Sequence, residues 1–380
     1  MKLNILKKGI HIRIAVTSDI SIDQRVQKIA ETLVEEGHLV TVICRKLPNY
    51  PKLGNAKYEI KQRTLWFNRG FLFYASFNIM IFFDLLFSKS DLITANDLDT
   101  LPGCAFAALL KRKPLIYDSH ELFLELPELK GKRHIKNVWS IFERLCIKKA
   151  TAVSTVCDSI ANELGEAYNK NCHVIRNVPR LKLSTRHNKT NKLPEIKTLL
   201  YQGSLNMGRG LEHMIGAMLF LYDAKLIIAG TGYMEKALKQ MVADLELQEK
   251  VEFVGVLSPH KLHELTQSAH LGFSLEENIC KNYEFALPNK LFDYIQARVP
   301  VITTNLPEMK KITDTYKVGT SIEFKESYEL ALIIKNIFEH EQLLHIWKNN
   351  CNIAANDLCW EKEKTKLIEM YNKVIVSACN

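Results

Sequence analysis

Chemistry is densest where YQGSLNMGRGLEHMIGAM runs from a strand end through Gly203, Gly208 and Gly210 into a helix. Glycines at such a turn let backbone N–H groups approach a phosphate. The helix N-terminus adds partial positive charge, and Arg209 adds a full one. The plain alternative is a β–α turn with an exposed arginine. A second cluster, Asp118-Ser119-His120-Glu121, follows the apolar run Pro114–Tyr117. A histidine there faces the ligand-binding edge of an open parallel sheet, or simply caps the next helix. Asp97 and Asp99 in ANDLDTLP could meet a substrate or cap the helix after Pro102. His213, His260, His263 and His270 lie on predicted helices without an i, i+4 pair plus an acid, so no metal site is read.

These residues need elements to hold them. Ile12–Thr17 (IRIAVT) reads as a buried parallel strand, and Gln24–Glu36 as an amphipathic helix ended by Gly37. Leu39–Cys44 is the next strand, and such a unit takes a right-handed crossover in a parallel sheet. The alternation continues through strands at 91–95, 114–117, 151–154 and 173–175, then breaks at the polar, basic Arg180–Lys197. It restarts with strands at 198–201, 225–229, 251–254, 271–274 and 299–303, and helices at 210–220, 233–247, 259–268 and 289–297. The expected class is α/β: two Rossmann-like doubly wound domains, 1–180 and 181–361, facing a central cleft. Ligands of such sheets bind at the carboxyl ends of the strands.

Composition narrows the rest. Hydrophobic residues make up 47% and charged residues 24%, which excludes disordered, collagen-like and coiled-coil chains. Nine scattered cysteines without a C-x-x-C pair argue against a zinc ribbon or disulfide framework and fit a reducing cytoplasm. The formal charge of +9 favours anionic partners. The basic residues are dispersed and no stacking-aromatic motif accompanies them, so nucleic acid is not expected. The start, MKLNILKKGIHIRIAV, lacks the apolar region and cleavage site of a signal peptide. Phe71–Phe87 is apolar on every face, yet its 17 residues include Asn78 and Asp84. A span needs ~20 apolar residues. The segment therefore reads as a sheet-covering helix, with an apolar lip on a membrane as the alternative.

Beyond residue 201 the order of elements becomes specific. A strand ending in Gly-x-Gly (LIIAGTG), a helix, the strand VEFVG, a short helix and PNKLFDYIQARVPVITTN follow in turn. This order closely resembles the C-terminal domain of the family 4 glycosyltransferases, which have the GT-B fold. DQRVQKIAETLVEEGHLVTVIC, NDLDTLPG, LIYDSHELF and AVSTVCDSI have counterparts in the family's first domain. Trp360 and Tyr371 look like its last helix, which crosses back to the first domain over about 362–380. The chain also departs from the family. The second acid of the Glu-x7-Glu pair falls at Asp293, and Phe285 stands eight residues earlier. The Ser-x-x-Glu run matches Ser274–Glu277, which puts the first carboxylate at Glu277, with Glu276 and Glu284 as alternatives. Ser204 stands where an arginine is usual, and Arg209 takes the place of a phosphate-binding lysine. Lys290 is the candidate second cation, or else a solvated helix-start lysine.

The resemblance implies a retaining glycosyltransferase that takes a UDP- or GDP-sugar. Arg209 and Lys290 would hold the diphosphate beside the Gly203 turn, and Asp293 the ribose. Gly230, Gly232 and the backbone up to Val256 would border the base, and Glu277 would touch the sugar. His120 would hydrogen-bond a sugar hydroxyl or shield an oxocarbenium-like carbon, with Asp19, Arg25 and Asp97 on the acceptor side. No carboxylate nucleophile is evident, so front-side attack is expected, with the leaving phosphate taking the acceptor proton. No metal cofactor is required, because basic residues can neutralise the diphosphate. The acceptor is expected to be a glycan or lipid-linked molecule of surface polysaccharide biosynthesis. The enzyme would work in the cytoplasm or on the inner face of the cell membrane, with an anionic membrane surface as a partner. A nucleotide-sugar 2-epimerase of the same fold and a non-catalytic partner subunit are the alternative readings.

Overall fold

The computed structural model describes residues 9–47, 54–182, 196–323 and 326–378. The chain divides into two compact units, Met1–Asn177 with Lys362–Asn380, and Val178–Glu361. Most of the linker expected at Arg180–Lys197, like the first eight residues, lies outside the described residues.

The first unit is built on seven strands: β1 (His11–Ala15), β2 (Leu39–Arg45), β3 (Glu59–Arg63), β4 (Leu92–Asn96), β5 (Leu115–Ser119), β6 (Ala152–Thr155) and β7 (Cys172–Val174). Their order is β3-β2-β1-β4-β5-β6-β7, all parallel, with Ile12 opposite Val40 on one side and Leu92 on the other. β4 and β5 are buried along their whole length, as expected where helices cover both faces of a parallel sheet. β3 reads EIKQR, a polar strand at the sheet edge, and sequence reading misses it because it has only one neighbour to bury against.

Right-handed crossovers put the helix Gln24–Glu35 on one face of this sheet. The helices Gly70–Leu86, Leu101–Lys111 and Arg133–Ile147 lie on the other. Gly70–Leu86 packs Phe73, Phe77, Ile81 and Leu85 inward. It lies close to Leu101–Lys111, where a Cβ on Gly103 would come 2.6 Å from the Asn78 carbonyl. This is the expected covering helix on its inner side only; Leu72, Ile79 and Phe83 on its outer side are exposed. No helix among the described residues is long and apolar enough to cross a membrane. The final helix, Trp360–Ala378, docks on β4, where the Tyr371 hydroxyl lies 3.0 Å from that of Thr94.

The second unit holds six parallel strands: β8 (Lys197–Gln202), β9 (Ala224–Ala229), β10 (Val251–Gly255), β11 (Leu271–Ser274), β12 (Val301–Thr304) and β13 (Gly319–Ile322). Their order is β10-β9-β8-β11-β12-β13. Leu226, Ile228 and Phe273 anchor the core on one face, and Leu200, Leu291 and Val301 on the other. β13, the short edge strand GTSI, is also missed by pattern. In both sheets the strand order reverses once, between β1 and β4 and between β8 and β11. Open parallel sheets bind ligands at such a switch point.

Candidate active site

In the second unit, the ends of β8 and β11 bring three charged groups together. β11 leads into Leu275 and Glu276, and the Glu276 carboxylate is fully buried. Its Oε1 accepts from Lys290 Nζ at 2.7 Å and from Arg209 Nη1 at 3.2 Å, while Ser274 Oγ donates to Oε2 at 2.7 Å. Burial would raise the Glu276 pKa, but Lys290 and Arg209 hold it below the usual carboxylate range. Each cation also faces an aromatic ring: Lys290 Nζ lies 4.2 Å from the Tyr201 centroid, and the Arg209 guanidinium 4.7 Å from that of Tyr283. Arg209 keeps 23% of its side chain exposed against 8% for Lys290, so the arginine is the more open to a ligand.

The glycines explain how the loop fits. At Gly210, φ is +68°, and a Cβ would sit 2.7 Å from the Leu275 carbonyl, so only glycine lets Arg209 reach Glu276 from this side. Gly230, with φ at +144°, would drive a Cβ to within 1.9 Å of the Gly203 carbonyl; β8 and β9 therefore leave the sheet in backbone contact. Gly230 donates its N–H to the Gly255 carbonyl at 2.8 Å, and Leu205 donates to Thr231 at 3.0 Å beside Gly232. Val256, just past β10, is 74% exposed.

Asp293 follows Lys290 by one turn of the helix Asn289–Ala297, on the same side, and accepts from Gln202 Nε2 at 3.2 Å. Gln202 is fixed in turn by Thr266, whose hydroxyl donates to its side-chain oxygen at 2.8 Å. Glu276 and Glu277 take different places. Glu277 is half-buried, forms no ion pair among the described residues, and meets the loop through its amide, which donates to the Gly208 carbonyl at 3.0 Å. Glu276 is the acid between the cations. Neighbours in sequence after a strand end point to opposite sides, and spacing alone does not say which one turns inward.

In the first unit, β4 and β5 end side by side and place His120 between two carboxylates. Its Nδ1 lies 3.1 Å from Asp97 and its Nε2 3.0 Å from Asp118. Arg25 grips Asp118 with two hydrogen bonds, of 2.9 and 2.7 Å, and Ser154 Oγ donates to the same carboxylate at 2.7 Å. Asp97 sits at φ +58°, in the left-handed region, held by its own N–H on the Asp118 carbonyl at 2.9 Å and by the His120 N–H on its Oδ1 at 2.7 Å. Burial would lower the His120 pKa, but Asp97 and Asp118 hold it well above the usual imidazole range. Burial would raise that of Asp118, but Arg25 and His120 hold it far below the usual carboxylate range.

Three of the expected residues of this unit are held by protein partners. Both His120 nitrogens are engaged by carboxylates, Asp97 at Nδ1 and Asp118 at Nε2. Arg25, 2% exposed, holds Asp118, which in turn meets His120. Asp19, also 2% exposed, accepts from the Leu47 and Ser21 amides at 3.0 Å and organises its loop. Asp97 alone of the acceptor-side candidates keeps exposed carboxylate, 23%. The sequence reading sees no Asp-x-Asp metal motif, yet Asp97-Leu98-Asp99 has that spacing; here Asp97 faces His120 and Asp99 accepts from Thr17 Oγ1 at 2.5 Å.

Two parallel-sheet Rossmann-like units, one with cations converging at its switch point, are the architecture of the GT-B fold. Comparison with known proteins agrees. The glycosyltransferase family 4 model matches residues 22–178, and the model of glycosyl transferases group 1 matches 184–352. The chain belongs to the family 4 glycosyltransferases. An uncharacterized glycosyltransferase of Methanocaldococcus jannaschii is 37% identical over 76 residues, 19% of this chain and 20% of that protein. This match spans only about a fifth of the curated relative's length. Sucrose-phosphate synthase from Thermosynechococcus elongatus superposes with a TM-score of 0.77 at 15% identity, covering 97% of this chain and 99% of the other. Anabaena HepE, solved with UDP-glucose, gives 0.73 at 17% identity, covering 96% and 100%. WaaG, a glycosyltransferase of lipopolysaccharide biosynthesis, gives 0.73 at 17%, covering 94% and 99%.

Proposed function

We propose that this enzyme transfers a sugar, with retention, from a UDP- or GDP-sugar to a glycan or lipid-linked acceptor of surface polysaccharide biosynthesis. It would act in the cytoplasm, at the inner face of the cell membrane where the acceptor is lipid-linked. The observation that carries this reading is the Arg209–Glu276–Lys290 cluster at the reversal between β8 and β11. Two cations on one buried carboxylate are already oriented, so a diphosphate meets them without the cost of ordering two free side chains. Asp293, one turn on, takes the ribose hydroxyls, and the glycine turns at 203, 230 and 232 and the backbone up to Val256 border the base.

Glu276, stabilised as an anion by two cations, is a poor nucleophile, which favours front-side transfer over a covalent glycosyl-enzyme. In that step the bond from the sugar carbon to the β-phosphate oxygen breaks as the acceptor oxygen bonds to the same carbon. The acceptor proton passes to the departing phosphate. Glu276, or Glu277 beside it, is then the acid nearest the sugar. His120, held between Asp97 and Asp118, is the catalytic candidate of the first unit, with Asp97 on the acceptor side. Calorimetry with UDP- and GDP-sugars should identify one tight donor, and proton NMR of the transferred product should give the donor's own anomeric configuration. An inverted product would overturn the retaining mechanism, and no binding of any nucleotide sugar would overturn the donor site.

A further inference from the structure

We propose that the outer face of the helices Gly70–Leu86, Leu101–Lys111 and Arg133–Ile147 is a docking surface for an anionic lipid bilayer. The inference rests on the lipid-linked acceptor of the reading above for its purpose, but on geometry for its evidence. Fourteen of the 26 large hydrophobic side chains exposed among the described residues lie between 66 and 145, about a fifth of the chain. The strand order places these three helices on one face of the first sheet, and they pack side by side, with Tyr74 edge-on to Trp139 at 5.2 Å.

Arg133–Ile147 carries the decisive pattern. Its inner side buries Trp139, Cys146 and Ile147, and an ordinary surface helix would then be polar outside. Instead Ile135, Val138, Ile141 and Leu145 run along the outer side, between 44% and 59% exposed. Phe83 at 50% and Leu109 at 53% continue the apolar surface on the neighbouring helices. Monomeric proteins rarely leave so much contiguous apolar surface to water.

Charge identifies the occupant. Between 66 and 149, nine lysines and arginines are exposed, Arg69, Lys89, Arg112, Lys132, Arg133 and Arg144 among them, against Glu128 as the one exposed acid. Asp84, the acid within the apolar run, is neutralised by Lys61 at 2.7 Å and by Arg63. An apolar surface set among cations suits acyl chains under phosphate headgroups; a second copy of the same basic face would repel it. The helices lie in the interface and do not span it.

The test is co-sedimentation of the whole protein with phosphatidylglycerol-containing and pure phosphatidylcholine vesicles across a salt series. Wild type should partition at least about tenfold more strongly onto the anionic vesicles, with the preference fading as salt screens the headgroups. Phe83→Glu, Leu109→Glu and Ile141→Glu combined, one exposed position on each helix, should cut binding about tenfold or more at low salt, and Lys132→Glu with Arg133→Glu should remove the anionic preference. UDP-glucose and GDP-sugar calorimetry on the same variants is the control. Unchanged donor affinity with lost vesicle binding supports the surface, and no donor binding by wild type would fault the donor reading alone. Absence of wild-type binding to either vesicle, or a dimer in sedimentation equilibrium that the same substitutions dissociate, would overturn the proposal.

Discussion

The Lys290 ammonium lies 2.7 Å from the same Glu276 oxygen that Arg209 approaches at 3.2 Å, so two cations far apart in sequence share one buried anion. Groups with a common partner do not act independently. Arg209→Ala and Lys290→Ala should each weaken UDP binding, and the double mutant should depart from additivity by ~0.5–3 kcal/mol. Strict additivity in the calorimetric cycle would place Lys290 away from the diphosphate.

Asp293 stands one turn beyond Lys290, held by Gln202, with its carboxylate half-buried. Asp293→Ala should weaken the free nucleotide by ~1.5–3 kcal/mol, the range for losing a charge-assisted hydrogen-bonded contact. Binding of UDP as tight as wild type would remove Asp293 from the ribose.

Sequence reading reaches the fold because β-branched runs, glycine stops and helical spacing all report burial, and burial dominates in a doubly wound sheet. It fails at β3 and β13, where an edge strand has little to bury. It singles out His120, Arg209, Lys290 and Asp293 as residue types at strand and helix ends. It does not find which atoms meet: Glu276 rather than Glu277 turns inward, and Arg25 turns away from solvent to hold Asp118. Tyr201 and Tyr283 under the two cations are also beyond it, since an aromatic in a strand or short helix gives no pattern of its own.

His120 ties folding to pH through Asp97 and Asp118. Its pKa is raised on folding, so its contribution is complete below the unfolded value of about 6.5 and is lost as pH rises through the folded one. The Asp118 contribution has the opposite sign, present above about pH 3.9 and lost as acid protonates it through its depressed folded value. In His120→Ala the stability deficit against wild type should therefore narrow at alkaline pH, and turnover should fall much more than donor affinity. Urea titrations at several pH values, run beside donor calorimetry, read both; a deficit independent of pH would mean that His120 is neutral in the fold.

Asp99 lies just past β4 at the switch point between β1 and β4, 8% exposed, accepting from Thr17 at 2.5 Å while its Oδ1 has no partner among the described residues. Burial, reinforced by the Asp97 charge, pushes its pKa up to about 8. The folded chain thus takes up a proton that an unfolded aspartate has released, and this group costs stability progressively as pH rises from about 4 to about 8. Asp99→Asn keeps an acceptor for Thr17 and needs no proton. The variant should match or fall below wild type near pH 5 and exceed it by at least ~1 kcal/mol near pH 8. Urea midpoints at the two pH values decide the matter: a difference that does not grow with pH would mean that Asp99 is ionised in the folded protein, with the Thr17 hydroxyl sufficient to hold its charge.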